Sequence, residues 1–203
     1  MEGIDSKAKN EVINKVLVVV GPSGVGKDTV MQKVFEKHPG IFKKGVTHTS
    51  RKMRPGEKEG YNYYYVSKED FLKLKDEGGL IEHNFYNGNY YGLSKKELEN
   101  ASKSDKILYV IIDINGANAV YEKHIPANFI AILPPNEEIL EERLKGRGTE
   151  STDVIKGRLE TAKTETKRIN ESKFFNFKVY NDNLEKAVLD MEEKLKLLYS
   201  QLK

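Results

Sequence analysis

Three glycines and one lysine in "GPSGVGKDTV", Gly21 to Val30, have the spacing of a phosphate-binding loop, G-x-x-x-x-G-K-[ST]. Gly21, Gly26 and Lys27 hold the fixed positions, with Pro22, Ser23, Gly24 and Val25 between them. The glycines let the backbone curl with its N–H groups inward. Those donors, the N-terminus of the following helix and the lysine ammonium converge on an anion. The chemistry this serves is phosphate binding and phosphoryl transfer. One position departs from the pattern: Asp28 stands where a serine or threonine hydroxyl would ligate Mg²⁺. A carboxylate is also a hard oxygen ligand, but longer and negatively charged. Asp28 has three options: to ligate the ion, to hold one of its waters, or to turn away while Thr29 supplies a hydroxyl. Thr29 lies about 100° further round a helix, which favours the first two.

A second cluster lies downstream, in "TSRKMRPGEKEGYNYYYV" from Thr49 to Val66. Arg51 and Arg54 carry planar forks suited to a phosphate dianion, and Tyr63 and Tyr91 can donate phenolic hydrogen bonds. Together with "GPSGVGK", this segment resembles the guanylate kinases, which phosphorylate GMP with ATP. Thr49, Ser50, Arg51, Arg54, Glu57, Gly60, Tyr63, Tyr65 and Val66 satisfy every fixed position of that family's motif. The resemblance continues through "LIEH" at Glu82, "GNYYG" ending at Gly92, "ERLKGRGTE" from Glu142 and "YNDNL" from Tyr180. It implies that Arg51, Arg54, Tyr63 and Tyr91 bind the phosphate of GMP. Glu82 then reads guanine, whose N1–H and 2-amino group are adjacent donors that a carboxylate accepts together, whereas adenine lacks the N1 proton. Thr47 and Asp113 complete the implied GMP set, and Asp113 also suits a metal-water role at a strand end.

The same resemblance gives Arg147 and Arg158, with Arg143 as a third candidate, the task of closing over the triphosphate and neutralising the group in transfer. It puts ATP on Gly21 to Thr29, with Asn181 near the adenine, Mg²⁺ beside Asp28, and dGMP as a possible second acceptor. Three positions depart from the family: Asp28, Leu93 where a hydroxyl follows "NYYG", and Ile111 where an acid is usual. Weaker GMP binding or looser base choice is the expected consequence. Two rival readings remain: a binding module that keeps the fold without catalysis, and a kinase for another nucleoside monophosphate. Retention of Lys27 and the arginines opposes the first, and Glu82 opposes AMP.

Composition narrows the partners. The 203-residue chain carries a net charge of only +3, so no global basic field argues for nucleic acid. It contains no cysteine, which excludes disulfides, thiolate metal sites and cysteine nucleophiles and fits a reducing compartment, here the cytoplasm. No apolar run approaches the ~18 residues that span a bilayer. A monomer or weak dimer, without nucleic acid or membrane, is expected.

These residues need a scaffold, and the apolar runs supply one. Val16–Val20, Ile107–Ile112, Phe129–Leu133 and Phe175–Tyr180 read as strands, the last nearer an edge. Helices are predicted over Lys27–Lys37, Asn115–His124, a segment opening at Asn136, Asp153–Glu171 and Leu184–Leu202. This alternation means an α/β fold: a parallel sheet flanked by helices. Residues 46–98 break the rhythm. "YNYYYV" reads as a strand, "SKED" as a capped helix start and "YNGNYYG" as a hairpin. The expected division is a polar extension at 1–15, a core at 16–45 and 99–203 with a short lid at about 145–158, and a small mixed α+β GMP-binding lobe at 46–98.

Overall fold

Five consecutive apolar residues, Val16–Val20, are all buried and form β1. A strand without alternation must be covered on both faces, and β1 is central in a five-stranded sheet. The computed structural model describes residues 15–86, 88–146 and 152–202. After β1 come α1 (Lys27–Lys37), β2 (Phe42–Lys44), β3 (His48–Thr49), β4 (Tyr64–Tyr65), α2 (Lys68–Asp76), β5 (Leu80–Tyr86) and β6 (Asn89–Ser94). The chain continues through α3 (Lys95–Ser102), β7 (Ile107–Ile111), α4 (Ile114–Glu122), β8 (Asn128–Leu133) and α5 (Glu137–Gly146). It closes with α6 (Thr152–Glu171), β9 (Phe177–Tyr180), α7 (Leu184–Leu198) and a 3₁₀ turn at Ser200–Leu202.

The sheet order is β2-β7-β1-β8-β9. β2 pairs parallel with β7 and β8 parallel with β9. The Leu108 N–H donates to the Lys15 carbonyl and the Ile112 N–H to the Val19 carbonyl. Both partners advance by four residues, so β1 and β7 also run in the same direction. A second sheet of order β4-β3-β6-β5 is mixed: β3 is parallel to β4, while β6 is antiparallel to β3 and β5. A parallel sheet flanked by helices, with a smaller mixed sheet, is the expected fold class.

The chain divides into two compact units. One contains Phe42–Val110, Asn115–Ala127 and the described residues through Leu17, and holds the mixed sheet. The other contains Val18–Ile41, Ile111–Ile114 and the described residues from Asn128 onward.

Several element predictions need correction. "YNYYYV" is a strand only at Tyr64–Tyr65, because the Asn62 carboxamide oxygen captures the Lys58 N–H and the Gly60 N–H donates to the Tyr63 carbonyl. These bonds curl Tyr61–Tyr63 into turns. α7 stops at Leu198 rather than Leu202; Tyr199 is extended, and the chain tightens into the 3₁₀ turn. β9 begins at Phe177, two residues late, because the Asn176 N–H and side-chain oxygen are taken by the backbone of Phe129. α4 ends at Glu122, before His124, which has φ 52°. The Ser67 cap is present, its hydroxyl accepting the Asp70 N–H. The N-terminal extension falls outside the described residues, except for Lys15.

Candidate active site

The phosphate loop joins β1 to α1. Gly26 caps α1 in the left-handed region, at φ 94°, and offers no side-chain cap. Gly26 itself leaves the amides of that first turn uncapped, and such a helix start can receive an anion. A Cβ at Gly21 would run into the Ile132 carbonyl oxygen, and one at Gly26 would meet the Asn181 amide nitrogen at 2.8 Å. Both glycines are thus required by close approach, and Gly26 by its conformation as well.

Four predicted residues gather on this loop, all within one unit. Lys27 Nζ donates to the carbonyls of Gly21 (2.7 Å) and Pro22 (3.1 Å), so the ammonium lies back along the loop. Arg158 Nη2 donates to Ser23 Oγ at 2.7 Å. Arg143 reaches the carbonyls of Val25 and Asp182 at 3.4 and 3.0 Å. Asn181 is 4% exposed, and its amide donates to the Val25 carbonyl at 2.8 Å. It braces the loop from beneath. Asp28 and Thr29 are exposed in the first turn of α1. Arg147 lies outside the described residues, as does the lid tip at 147–151.

The mixed-sheet unit carries the second constellation. Arg51 Nη2 donates to both oxygens of Glu57, at 2.7 and 3.0 Å. The Arg54 N–H and the Tyr65 hydroxyl also donate to Glu57 Oε2, each at 2.7 Å. The Arg51 guanidinium lies 5.4 and 5.8 Å from the ring centroids of Tyr63 and Tyr65. Burial pushes the Glu57 carboxyl up, but these three donors outweigh it and hold it at about 2. Burial and the bond to Glu57 push the Tyr65 hydroxyl up to about 12. Tyr91 meets Tyr63 edge to face at 6.0 Å. The Arg54 side chain is exposed, so only its backbone joins the cluster.

Glu82 is 7% exposed on β5 and pairs in register with Leu93 on β6. Cross-strand partners share a sheet face. Leu93 is fully buried, so the position where the motif expects a hydroxyl belongs to the apolar core beside this carboxylate. Thr47 is fixed through its carbonyl, which accepts the Tyr64 N–H. Its neighbour Val46 donates to buried Glu97 at 3.1 Å. Asp113 falls in the phosphate-loop unit, where its charge acts on Glu165.

Sequence reasoning assigned no role to Glu57, Glu97 or Glu165. Glu57 was a motif position, and the proximity of Arg51 six residues earlier was the available signal. Glu97 and Glu165 sit on helices and act through residues distant in sequence, which no local spacing announces. Burial raises the Glu165 carboxyl above the usual range; Asp113 adds to this, while Lys27, the Ser23 backbone N–H and Arg168 oppose it.

Among the described residues, no group of three or more His, Cys, Asp or Glu side chains could hold a metal ion alone. A Mg²⁺ ion that arrives on a nucleotide keeps water and phosphate ligands and asks the protein for one or two oxygens. The exposed carboxylate of Asp28 and hydroxyl of Thr29, beside Lys27, are donors of that kind.

The family profile described as Guanylate kinase matches residues 13–197. The guanylate kinase of Lactobacillus acidophilus is 41% identical over 173 residues, covering 85% of this chain and 83% of that protein. The Schizosaccharomyces pombe guanylate kinase is 38% identical, covering 88% of each. The human guanylate kinase is 33% identical, covering 88% of this chain and 91% of its own. The crystal structure of guanylate kinase from Anaplasma phagocytophilum matches with a TM-score of 0.69 and 30% identity, covering 93% of this chain and 86% of that one.

Proposed function

The chain belongs to the guanylate kinase family and is an ATP:GMP phosphotransferase, and on that premise we propose how its residues divide the work. The loop Gly21–Thr29 holds the phosphates of Mg-ATP, with Lys27 along the phosphate chain. Residues 46–98 form the GMP-binding lobe: Arg51, Arg54, Tyr63 and Tyr91 take the phosphate, and Glu82, Thr47 and Asp113 serve the base and its surroundings. Asp28 would hold Mg²⁺ or one of its waters. When bound, that ion neutralises charge on the phosphate oxygens.

The reaction is an in-line displacement. An oxygen of the GMP phosphate forms a bond to the γ-phosphorus. The bond from that phosphorus to the β,γ-bridging oxygen breaks, and ADP leaves with the electron pair. The attacking oxygen is already anionic, so no general base is required. Lys27, Arg158, Arg143 and Arg147 supply positive charge to the equatorial oxygens, and closure of the 145–158 segment excludes water. The absence of cysteine fits a cytoplasmic enzyme and the low net charge one that acts without nucleic acid; a monomer or weak dimer without a membrane partner completes the reading. Among the described residues, no helix is long and apolar enough to cross a membrane.

The observation that carries this division is the hold on Lys27, Arg158, Arg143 and Asn181 by one glycine loop that opens a helix. A coupled assay of ADP release with GMP as acceptor tests it. Turnover in the parent that Lys27→Ala abolishes is the expected result. A Lys27→Ala protein as active as its parent would remove the loop from the reaction.

A further inference from the structure

We propose that Lys123 is a positioning residue for base recognition: it holds the β-bulge at Ile81 that turns Glu82 onto the sheet face shared with Tyr91 and Leu93. The inference rests on the reading that Glu82 binds the guanine of GMP.

The bulge is written in the register of β5 against β6. Leu80 pairs with Ser94, and Glu82 pairs with Leu93. Between those pairs β5 advances two residues and β6 one, so Ile81 is the extra residue. Successive residues of a strand point to opposite faces. Ser94 and Leu93 therefore lie on opposite faces of β6, and so do their partners Leu80 and Glu82. An unbroken ladder would instead set Glu82 against Gly92, on the face of Leu80. That face is apolar and covered: a Cβ on Gly92 would meet Phe71 of α2 at 3.0 Å and Leu80 at 3.2 Å. The bulge moves Glu82 to the other face, where Asn84 follows it, paired with Tyr91. The carboxylate proposed to read the base and the tyrosine proposed to bind the phosphate thus share one face.

Such a bulge needs restraint, because β5 is the edge strand of its sheet and is paired on one side only. Lys123 supplies it. This residue directly follows α4, where the helix closes. The Lys123 and Ile125 N–H groups donate to the Ala119 and Val120 carbonyls, and His124 takes φ 52°. From that turn the Lys123 ammonium donates to the Ile81 carbonyl. Both residues belong to one compact unit. The Ile81 carbonyl is part of the planar peptide that leads into Glu82. A charge-assisted bond to it fixes the plane from which Glu82 projects. The ammonium also lies beside the next residue of the strand: after burial and Lys75, its charge helps to hold the His83 imidazole below its usual range.

The test is steady-state kinetics of the parent, K123M, K123R, E82Q and K123M/E82Q, with ADP release followed against GMP and against ATP. Methionine keeps the apolar stem and removes the donor, whereas arginine keeps a charged donor. K123M is expected to raise KM for GMP roughly threefold to tenfold, with kcat and KM for ATP within about twofold of the parent. K123R should recover most of that loss. In the E82Q background K123M should cost nothing further, because the carboxylate it aims is gone. A parent-like KM for GMP in K123M would overturn the inference alone. So would a K123M loss that is equally large with and without Glu82. An E82Q protein that handles GMP as the parent does would overturn the reading of Glu82 and the inference with it. Should K123M not fold, the parent carries the test by NMR. A scalar coupling between Lys123 Nζ and the Ile81 carbonyl carbon is expected, and its absence overturns the proposal.

Discussion

Glu57 holds Arg51 through both carboxylate oxygens, with Arg51 Nη2 2.7 Å from Oε1 and 3.0 Å from Oε2. The guanidinium is thus aimed and partly neutralised before any substrate arrives. Its remaining donors stay oriented by the rings of Tyr63 and Tyr65. The Arg51 side chain is therefore positioned by its neighbours, and on the proposed reading its fork does not have to be ordered at the cost of GMP binding.

The first prediction concerns pH. The Glu57 carboxyl is held at about 2 in the folded protein, below the 4.5 of a free glutamate. A depressed carboxyl contributes stability that is present above pH 4.5 and is lost as pH falls toward 2. The contribution is about 3 kcal/mol at most. Denaturant unfolding from pH 7 to pH 2 should show the parent losing its advantage over E57Q across that window. Parallel curves for the two proteins would show that the carboxylate charge is not what ties this cluster together. At pH 7, E57Q should also raise KM for GMP with a smaller change in kcat, because a loosened Arg51 fork weakens ground-state binding.

A second prediction isolates the brace beneath the phosphate loop. Asn181→Ala removes the shorter of two donors to the Val25 carbonyl, leaves it only Arg143 at 3.4 Å, and vacates the space beside Gly26. Loss of one buried hydrogen bond costs about 0.5–1.5 kcal/mol, which for a chain of this size lowers Tm by a few degrees. KM for ATP should rise as the loop loosens, while KM for GMP stays near the parent value. Equal increases in both constants would mean that Asn181 does not act on the ATP side alone.

Much of this scaffold was legible in the sequence, for a physical reason. Strands buried on both faces are continuous apolar runs, so β1, β7 and β8 stand out. β2 did not, because an edge strand needs only backbone pairing, and "FKK" holds one apolar residue. The phosphate loop was legible because its constraints are local: positive φ at Gly24 and Gly26, and a strand before and a helix after. The burial of Glu165 was not, because helical periodicity alone makes it one more glutamate in a polar helix. Tyr61–Tyr63 misled in the opposite direction, since aromatic strand propensity there yields to side-chain capture by Asn62.

The third prediction tests the apolar residue beside Glu82, the carboxylate proposed to read the base. Leu93 is fully buried and lies opposite Glu82 in the ladder. Leu93→Thr restores a hydroxyl but shortens a core side chain, so stability should fall by about 1–3 kcal/mol. If the hydroxyl reaches the guanine 2-amino group, kcat/KM for GMP should rise relative to IMP by severalfold, as one neutral hydrogen bond allows. Unchanged kcat/KM for both GMP and IMP alongside the lower Tm would mean that Leu93 serves the core only.

The last prediction returns to Asp28, exposed in the first turn of α1 next to Lys27. Its carboxylate favours the dipole of the helix start when the loop is empty, yet it competes there with the phosphates that the same helix end attracts. A direct hold on Mg²⁺ or its water would resolve that conflict by placing a cation between the two negative groups. On this reading Asp28→Ala raises the Mg²⁺ concentration for half-maximal activity by about tenfold, and saturating Mg²⁺ restores most of kcat. Asp28→Ser, with a shorter neutral oxygen, should stay within a few-fold of the parent and bind ADP more tightly when Mg²⁺ is chelated, since one repulsive charge is gone. Activity measured against free Mg²⁺ at fixed ATP separates the alternatives. An Asp28→Ala curve that overlays the parent would remove Asp28 from the metal and leave the Thr29 hydroxyl as the nearest protein oxygen on that turn.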